Sequence, residues 1–267
     1  MYSDDASAIL SENHYEIVDD GRPAPVVALA HGAGGGVREN FGPLIDGVSD
    51  RRFVGPYWPG SGGTPRTDRP LEIDELADAV VAAAVDAGAE RFPVVGLSLG
   101  AAIAVTAALR HPEHVSALVL TVGLACADFR VRTATDAIGA LAAAGAWDAL
   151  AAYVLGAASS ETTLRALTDE QLQRARVEVR DGMPAGAPDQ MEVAGRVDVT
   201  GLLPRVSVPT LVAVSGGDRL VPVDIGRRFA EIPGARLVEY PDAGHVFTPA
   251  EAAVWTADVA EFLRALA

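Results

Sequence analysis

The chain has no lysine: all 21 of its basic residues are arginine. Without an ε-amino group there is no Schiff-base catalysis, no attachment point for pyridoxal phosphate and no phosphate-binding lysine of a P-loop. Cysteine is nearly absent as well. Cys126 stands alone, so no internal disulfide can form, and a cytoplasmic setting is expected. Positive charge is scarce against 36 acidic residues, and the formal net charge is −15 with no basic block to interrupt it. Such a surface repels nucleic acid and anionic membranes, so neither is expected as a partner. No apolar run approaches the roughly 18 residues that span a bilayer. The opening MYSDDASAIL is acidic and lacks the basic and apolar regions of a signal peptide, so no secretory leader is expected there.

Apolar residues, by contrast, are plentiful at 49% of 267, enough to bury one sizeable core. Short apolar runs bounded by glycine or proline predict buried strands at 25–30, 52–55, 93–97 and 115–122. Amphipathic or alanine-rich stretches between them predict helices over 73–87 and 99–110, which implies a mostly parallel sheet flanked by helices. From 125 to 205 the pattern turns helical, with helices expected over 134–143, 147–155 and 169–179 and no convincing strand. Strand signals resume at 209–214 and 236–240, and a last helix is expected over 250–266. The organisation predicted is an α/β core made of 1–124 and 206–267, with a helical lid, 125–205, inserted between strands.

The strongest local signal is Gly96-Leu97-Ser98-Leu99-Gly100, between an expected strand and an expected helix. G-x-S-x-G in that setting is a nucleophile elbow: a sharp turn that projects the serine from the sheet edge, with glycines where neighbours crowd. The helix that follows aims its N-terminus at the site, so the Leu99 N–H can face a developing oxyanion. A serine needs a base, and His245, just past the strand ending at Tyr240, is the best placed of five histidines. The base needs an acid. Asp218, after the strand ending at Val214, gives the chain order Ser, Asp, His, with Asp128 the second choice. In His31-Gly32-Ala33-Gly34-Gly35-Gly36 the glycines let backbone amides approach a substrate oxygen; Ala33 is the first candidate for the second oxyanion donor and Gly34 the next. His31 itself, and the pair His111 and His114, read as structural or solvated.

HGAGGG at His31, PGSGGT at Pro59, GLSLG at Gly96, LLPRVSVPTLVAVSGGDRLVP from Leu202 and PDAGH at Pro241 occur here in one order. Together they resemble the α/β-hydrolase superfamily, in its lid-bearing group of esterases, lactonases and perhydrolase-like enzymes. That resemblance implies a serine hydrolase with Ser98 as nucleophile, Asp218 as acid, His245 as base, and Ala33 and Leu99 as oxyanion donors. It implies no metal or organic cofactor and a small hydrophobic ester, lactone or thioester as substrate. Gly34, Trp58, Phe129, Trp147 and Tyr153, with Met183 and Met191, are the candidate substrate contacts. The sequence departs from the family at Tyr57-Trp58-Pro59-Gly60-Ser61, where an acidic residue is usual, and at Ala101, where a glycine is common. Three other readings stay open: an acyltransferase or cyclase, a carbon–carbon bond hydrolase, and a catalytically silent binder.

Overall fold

The computed structural model describes residues 2–266. Helix α1 (Tyr2–Glu12) precedes strand β1 (Ile17–Asp19), after which strands and helices alternate: β2 (Val26–Ala30), α2 (Val37–Gly47), β3 (Arg52–Pro56), α3 (Ile73–Asp86), β4 (Phe92–Leu97), α4 (Leu99–Arg110) and β5 (Val115–Thr121). Then come α5 (Phe129–Ala143), α6 (Trp147–Ala158), α7 (Glu161–Ala166), α8 (Asp169–Gly182) and α9 (Ala187–Arg196). A 3-10 turn at Thr200–Arg205 leads back to β6 (Thr210–Ser215), α10 (Val223–Arg227), β7 (Arg236–Tyr240) and α11 (Pro249–Ala265).

The strands lie in the order β1-β3-β2-β4-β5-β6-β7. Only β1, against β3, is antiparallel. The pleat sorts the apolar runs into two cores. Val27, Leu29, Val95, Val119 and Leu211 join Phe41, Leu44, Trp255 and Val259 of α2 and α11 on one face. Their alternates Ala28, Ala30, Val94, Leu118 and Val212 join Leu76, Val80 and Ile103 of α3 and α4 on the other. Both faces are covered, which is why these strands read as continuous apolar runs rather than alternating ones. Each Val, Leu or Ile side chain among them contributes roughly 1.5–3 kcal/mol on removal from water, before conformational entropy is set against it.

Helix ends follow local chemistry. Gly88, with φ +90, closes α3 as expected of a glycine just past a helix. Helix α5 starts five residues before the expected Ala134, because Asp128 caps it by accepting from the Val131 N–H at 2.9 Å. The last expected residue of β5, Val122, leaves the strand with φ +41, an uncommon conformation for a β-branched side chain. The inserted helices enter and leave side by side: Cys126 and Asp198 form an antiparallel bridge, flanked by Ala127 N–H to Val197 O at 2.7 Å and Val199 N–H to Ala125 O at 2.9 Å.

Candidate active site

Strand β4 delivers Ser98 at its C-terminal end, with φ 57 and ψ −120. A non-glycine residue held there costs of the order of 1–3 kcal/mol, so surrounding bonds must impose it. They do. The Ser98 N–H donates to Thr121 O at 2.9 Å, and its carbonyl accepts from Ala101 at 3.0 Å and Leu124 at 3.2 Å. The flanking glycines are sterically required, since a Cβ at Gly96 would strike the Gly100 carbonyl and one at Gly100 would strike the Ala30 carbonyl. Ala101 is accommodated because its neighbour in the loop after β5, Gly123, has no side chain. A Cβ at Gly123 would lie 2.7 Å from the Ala101 Cβ.

Strands β6 and β7 end at the same edge of the sheet, and the loops beyond them bring Asp218 to His245. His245 Nδ1 lies 2.6 Å from Asp218 Oδ2, both side chains being almost wholly shielded from solvent. Asp218 Oδ1 accepts from the Leu220 and Val221 N–H groups, each at 2.8 Å. A carboxylate accepts only, so it selects the imidazole tautomer that carries its proton on Nδ1 and leaves Nε2 with a lone pair. The two loops are tied by Gly217 N–H to Ala243 O at 2.9 Å, and Val246 N–H donates to Ala158 O at the end of α6 at 3.0 Å.

The loop after β2 is held by its own side chains. Buried His31 has Nδ1 2.8 Å from Gly32 O, and its Nε2 accepts from the Trp58 N–H at 2.9 Å. That pairing fits only the neutral ring with the proton on Nδ1, and burial pushes its pKa down to about 3. The Gly32 N–H donates to Asn40 Oδ1 and the Gly34 N–H to Gln190 Oε1, both at 2.8 Å, while the Gly35 N–H turns back to Gly32 O at 3.3 Å. Among the described residues nothing accepts from the Ala33 or Leu99 N–H. Gly34, the alternative donor, is therefore committed elsewhere.

Ser98, His245, Ala33 and Gly34 border one cavity of about 260 Å³. Its floor comes from the core, including Leu97, Leu124 and Trp255; its roof comes from the inserted helices. Helix α5 supplies Val131, Ala134, Thr135 and Ile138, at the i, i+3, i+4, i+7 spacing of one helix face.

The family described as the alpha/beta hydrolase fold matches residues 25–249. The chain belongs to the α/β-hydrolase family. It is similar to a pimeloyl-[acyl-carrier protein] methyl ester esterase of Chromobacterium violaceum, 31% identical over 265 residues that cover 91% of this chain and 93% of that one. It is also similar to a pyrrolizixenacetamide deacetylase of Xenorhabdus hominickii, 29% identical over 242 residues, 85% and 86% of the two chains. Among solved structures, MGS-M2, an alpha/beta hydrolase enzyme from a Medee basin deep-sea metagenome library, superposes with a TM-score of 0.84 at 19% identity, covering 93% of both chains. The enol-lactonase from Burkholderia xenovorans LB400 does so with 0.80 at 23%, covering 94% of this chain and 96% of that one. At these identities the structural likeness speaks to the fold alone.

In this α/β-hydrolase the expected aromatic substrate contacts are misplaced. Trp58 is fully buried beneath the glycine loop, stacked on His31 with ring centroids 4.7 Å apart and donating from Nε1 to His31 O at 2.9 Å. Phe129, at the first position of α5, is 77% exposed, since the cavity face of that helix begins two residues later at Val131. Tyr153 points away because its neighbour Val154 takes the inward position, about 100° round the helix. Trp147 borders a separate shallow depression with Arg180 and Asp181. Gly34, Met183 and Met191 do border the cavity. Asp128 serves as the α5 cap, His111 Nε2 meets Asp78 Oδ1 at 2.7 Å, and His114 Nδ1 meets Glu90 O at 2.7 Å. Sequence reasoning passed over Gln190, whose partners lie more than a hundred residues away and leave no local signature.

Proposed function

We propose that the chain is a serine hydrolase of small carboxylic esters with an uncharged, apolar acyl group, acting through an acyl-enzyme on Ser98. The observation that carries this reading is the His245–Asp218 pair on the cavity that also holds the elbow serine. His245 Nε2 takes the Ser98 proton as Oγ attacks the ester carbonyl, and Asp218 stabilises the imidazolium. The Ala33 and Leu99 N–H groups receive the oxyanion, for which each donor is worth roughly 2.7–4 kcal/mol in comparable sites. The imidazolium then protonates the departing alcohol. Water, deprotonated by the same nitrogen, releases the acid. Lactones and thioesters meet the same machinery with a tethered alkoxide or a thiolate as leaving group.

Relatives named as a methyl ester esterase and a deacetylase support acyl transfer to water as the reaction class. The apolar cavity supports the acyl preference. Residues 125–205 act as a cap over a core built from 1–124 and 206–267, and a single thiol suits a reducing cytoplasm. No helix of the described residues is long and apolar enough to cross a membrane.

The test is a series of p-nitrophenyl esters from acetate to octanoate, assayed with the parent and with Ser98→Ala. Hydrolysis by the parent and a loss of at least roughly 10⁴-fold in the variant are expected. Equal rates would remove Ser98 from the reaction. Exclusive ester exchange in added alcohol would put acyl transfer in place of hydrolysis.

A further inference from the structure

Helix α9, the last of the inserted helices, reaches the glycine loop through one side chain. Gln190 is completely buried. Its Oε1 accepts from the Gly34 N–H at 2.8 Å, and its Nε2 donates to Ser61 Oγ at 2.9 Å and to Pro59 O at 3.1 Å. Ser61 Oγ passes the link on, donating to Gly35 O at 2.9 Å. The orientation of the amide is fixed by its partners, because a flipped group would set NH₂ against the Gly34 N–H and oxygen against the Pro59 carbonyl.

We propose that Gln190 is a positioning residue for the Ala33 amide, which makes the inserted helices part of the catalytic apparatus as well as a wall of the pocket. This rests on the reading of Ser98 as nucleophile and Ala33 as oxyanion donor. Ala33 is bracketed: the Gly32 amide before it is held by Asn40 from α2, the Gly34 amide after it by Gln190 from α9. Gly34 has φ +71, so its backbone has other conformations within easy reach once the Gln190 bond is gone. Removing that bond frees the Gly34 amide and leaves the far side of the loop held only at the next residue, through Ser61 Oγ to Gly35 O and Gly35 N–H to Gly32 O.

Two features separate this role from simple helix seating. Gln190 does not border the cavity, so a change there cannot act by direct contact with substrate. Helix α9 is also fastened independently, by Arg66 to Asp189 near its start, with Nη2 to Oδ1 at 2.8 Å, and by Arg196 to Glu72 at its end at 3.1 Å. A buried amide costs several kcal/mol of desolvation unless its bonds are met, a cost that an apolar side chain of the same size would avoid if packing were its only duty.

The experiment compares Gln190→Met, close in volume and without the amide, with the parent on p-nitrophenyl butyrate. A trifluoromethyl ketone, which adds to the serine as a tetrahedral oxyanion, probes the hole directly; butyrate, the ground-state product, serves as reference ligand. The expected result is a fall in kcat of about ten- to a hundredfold with KM changed less than about threefold. The trifluoromethyl ketone should weaken by the same factor as kcat/KM, and butyrate should bind as before. Unchanged kcat, or a loss confined to KM with undiminished ketone affinity, overturns the proposal. Should Gln190→Met fail to fold, Ser61→Ala removes one arm of the same network, and the same split between ketone and butyrate decides. If Ser98→Ala hydrolyses as fast as the parent, the nucleophile reading itself falls; if Ser98→Ala is inert while Gln190→Met keeps the parent's kcat, only the positioning role does.

Discussion

Replacing Asp218 by Asn exchanges one carboxylate oxygen for NH₂ and should silence the enzyme without unfolding it. In the parent, Asp218 Oδ1 receives the Leu220 and Val221 N–H groups, each at 2.8 Å, and Oδ2 faces His245 Nδ1 at 2.6 Å. An asparagine keeps its carbonyl oxygen on the two backbone donors, which have no other acceptor among the described residues. Its NH₂ is then forced toward His245, and Nδ1 must accept rather than donate. The imidazole proton moves to Nε2, which then donates and cannot take a proton from Ser98. The corresponding tautomer error in a serine protease lowers kcat by about 10⁴-fold, or about 5.4 kcal/mol at ~1.36 kcal/mol per factor of ten. The burial of both side chains prevents water from restoring the lost charge stabilisation. Kinetics on p-nitrophenyl butyrate, paired with thermal unfolding, measure it. A kcat within about tenfold of the parent at an unchanged melting temperature would show that Asp218 does not set the His245 tautomer. The control is Asp128→Asn, which perturbs the cap of α5 and the exposed pair with Arg130 at 2.8 Å; it should leave kcat unchanged and cost at most about 1 kcal/mol of stability.

Two further outcomes follow from the packing around the site. His31 is neutral in the folded state with its pKa pushed down to about 3, against 6.5 for a free imidazole. Protons therefore favour the unfolded chain between those values: the stability contributed by neutral burial is complete above 6.5 and falls as pH drops toward 3, reaching a loss of about 2 kcal/mol near pH 5. Denaturant unfolding near pH 7.5 and pH 5 should show that slope in the parent and not in His31→Gln; equal slopes contradict it. Gly123→Ala places a Cβ 2.6 Å from Phe229 Cε2 and 2.7 Å from Ala101 Cβ, and should destabilise by about 1–3 kcal/mol. Adding Ala101→Gly should recover part of that loss, and strict additivity of the two changes in melting experiments would disprove the contact.

The parts of the fold visible in the sequence are those set by local pattern. Apolar runs such as VVALA and LVAV, ending in glycine-rich turns, mark the C-terminal edge of a parallel sheet, and that edge is where Ser98, Asp218 and His245 emerge. Helix α2 was hidden because Gly42 and Pro43 interrupt its periodicity, although Phe41, Leu44 and Ile45 all reach the core. Strand β1, three residues long, is too short to show an alternation. In the inserted segment the sequence marked large aromatics, but side-chain size carries no information about which way a helix face turns. The stripe Val131, Ala134, Thr135 and Ile138 did carry it, in spacing rather than size. Gln190 had no such cue, since a buried amide declares itself only through partners distant in the chain.

Whether Ser98 is an activated nucleophile is read out by intact-protein mass spectrometry after exposure to a fluorophosphonate. One covalent adduct is expected on the parent, mapped to Ser98 by peptide analysis, and none on folded Ser98→Ala. A folded parent that stays unlabelled, or a variant that labels as well as the parent, would contradict that role for Ser98.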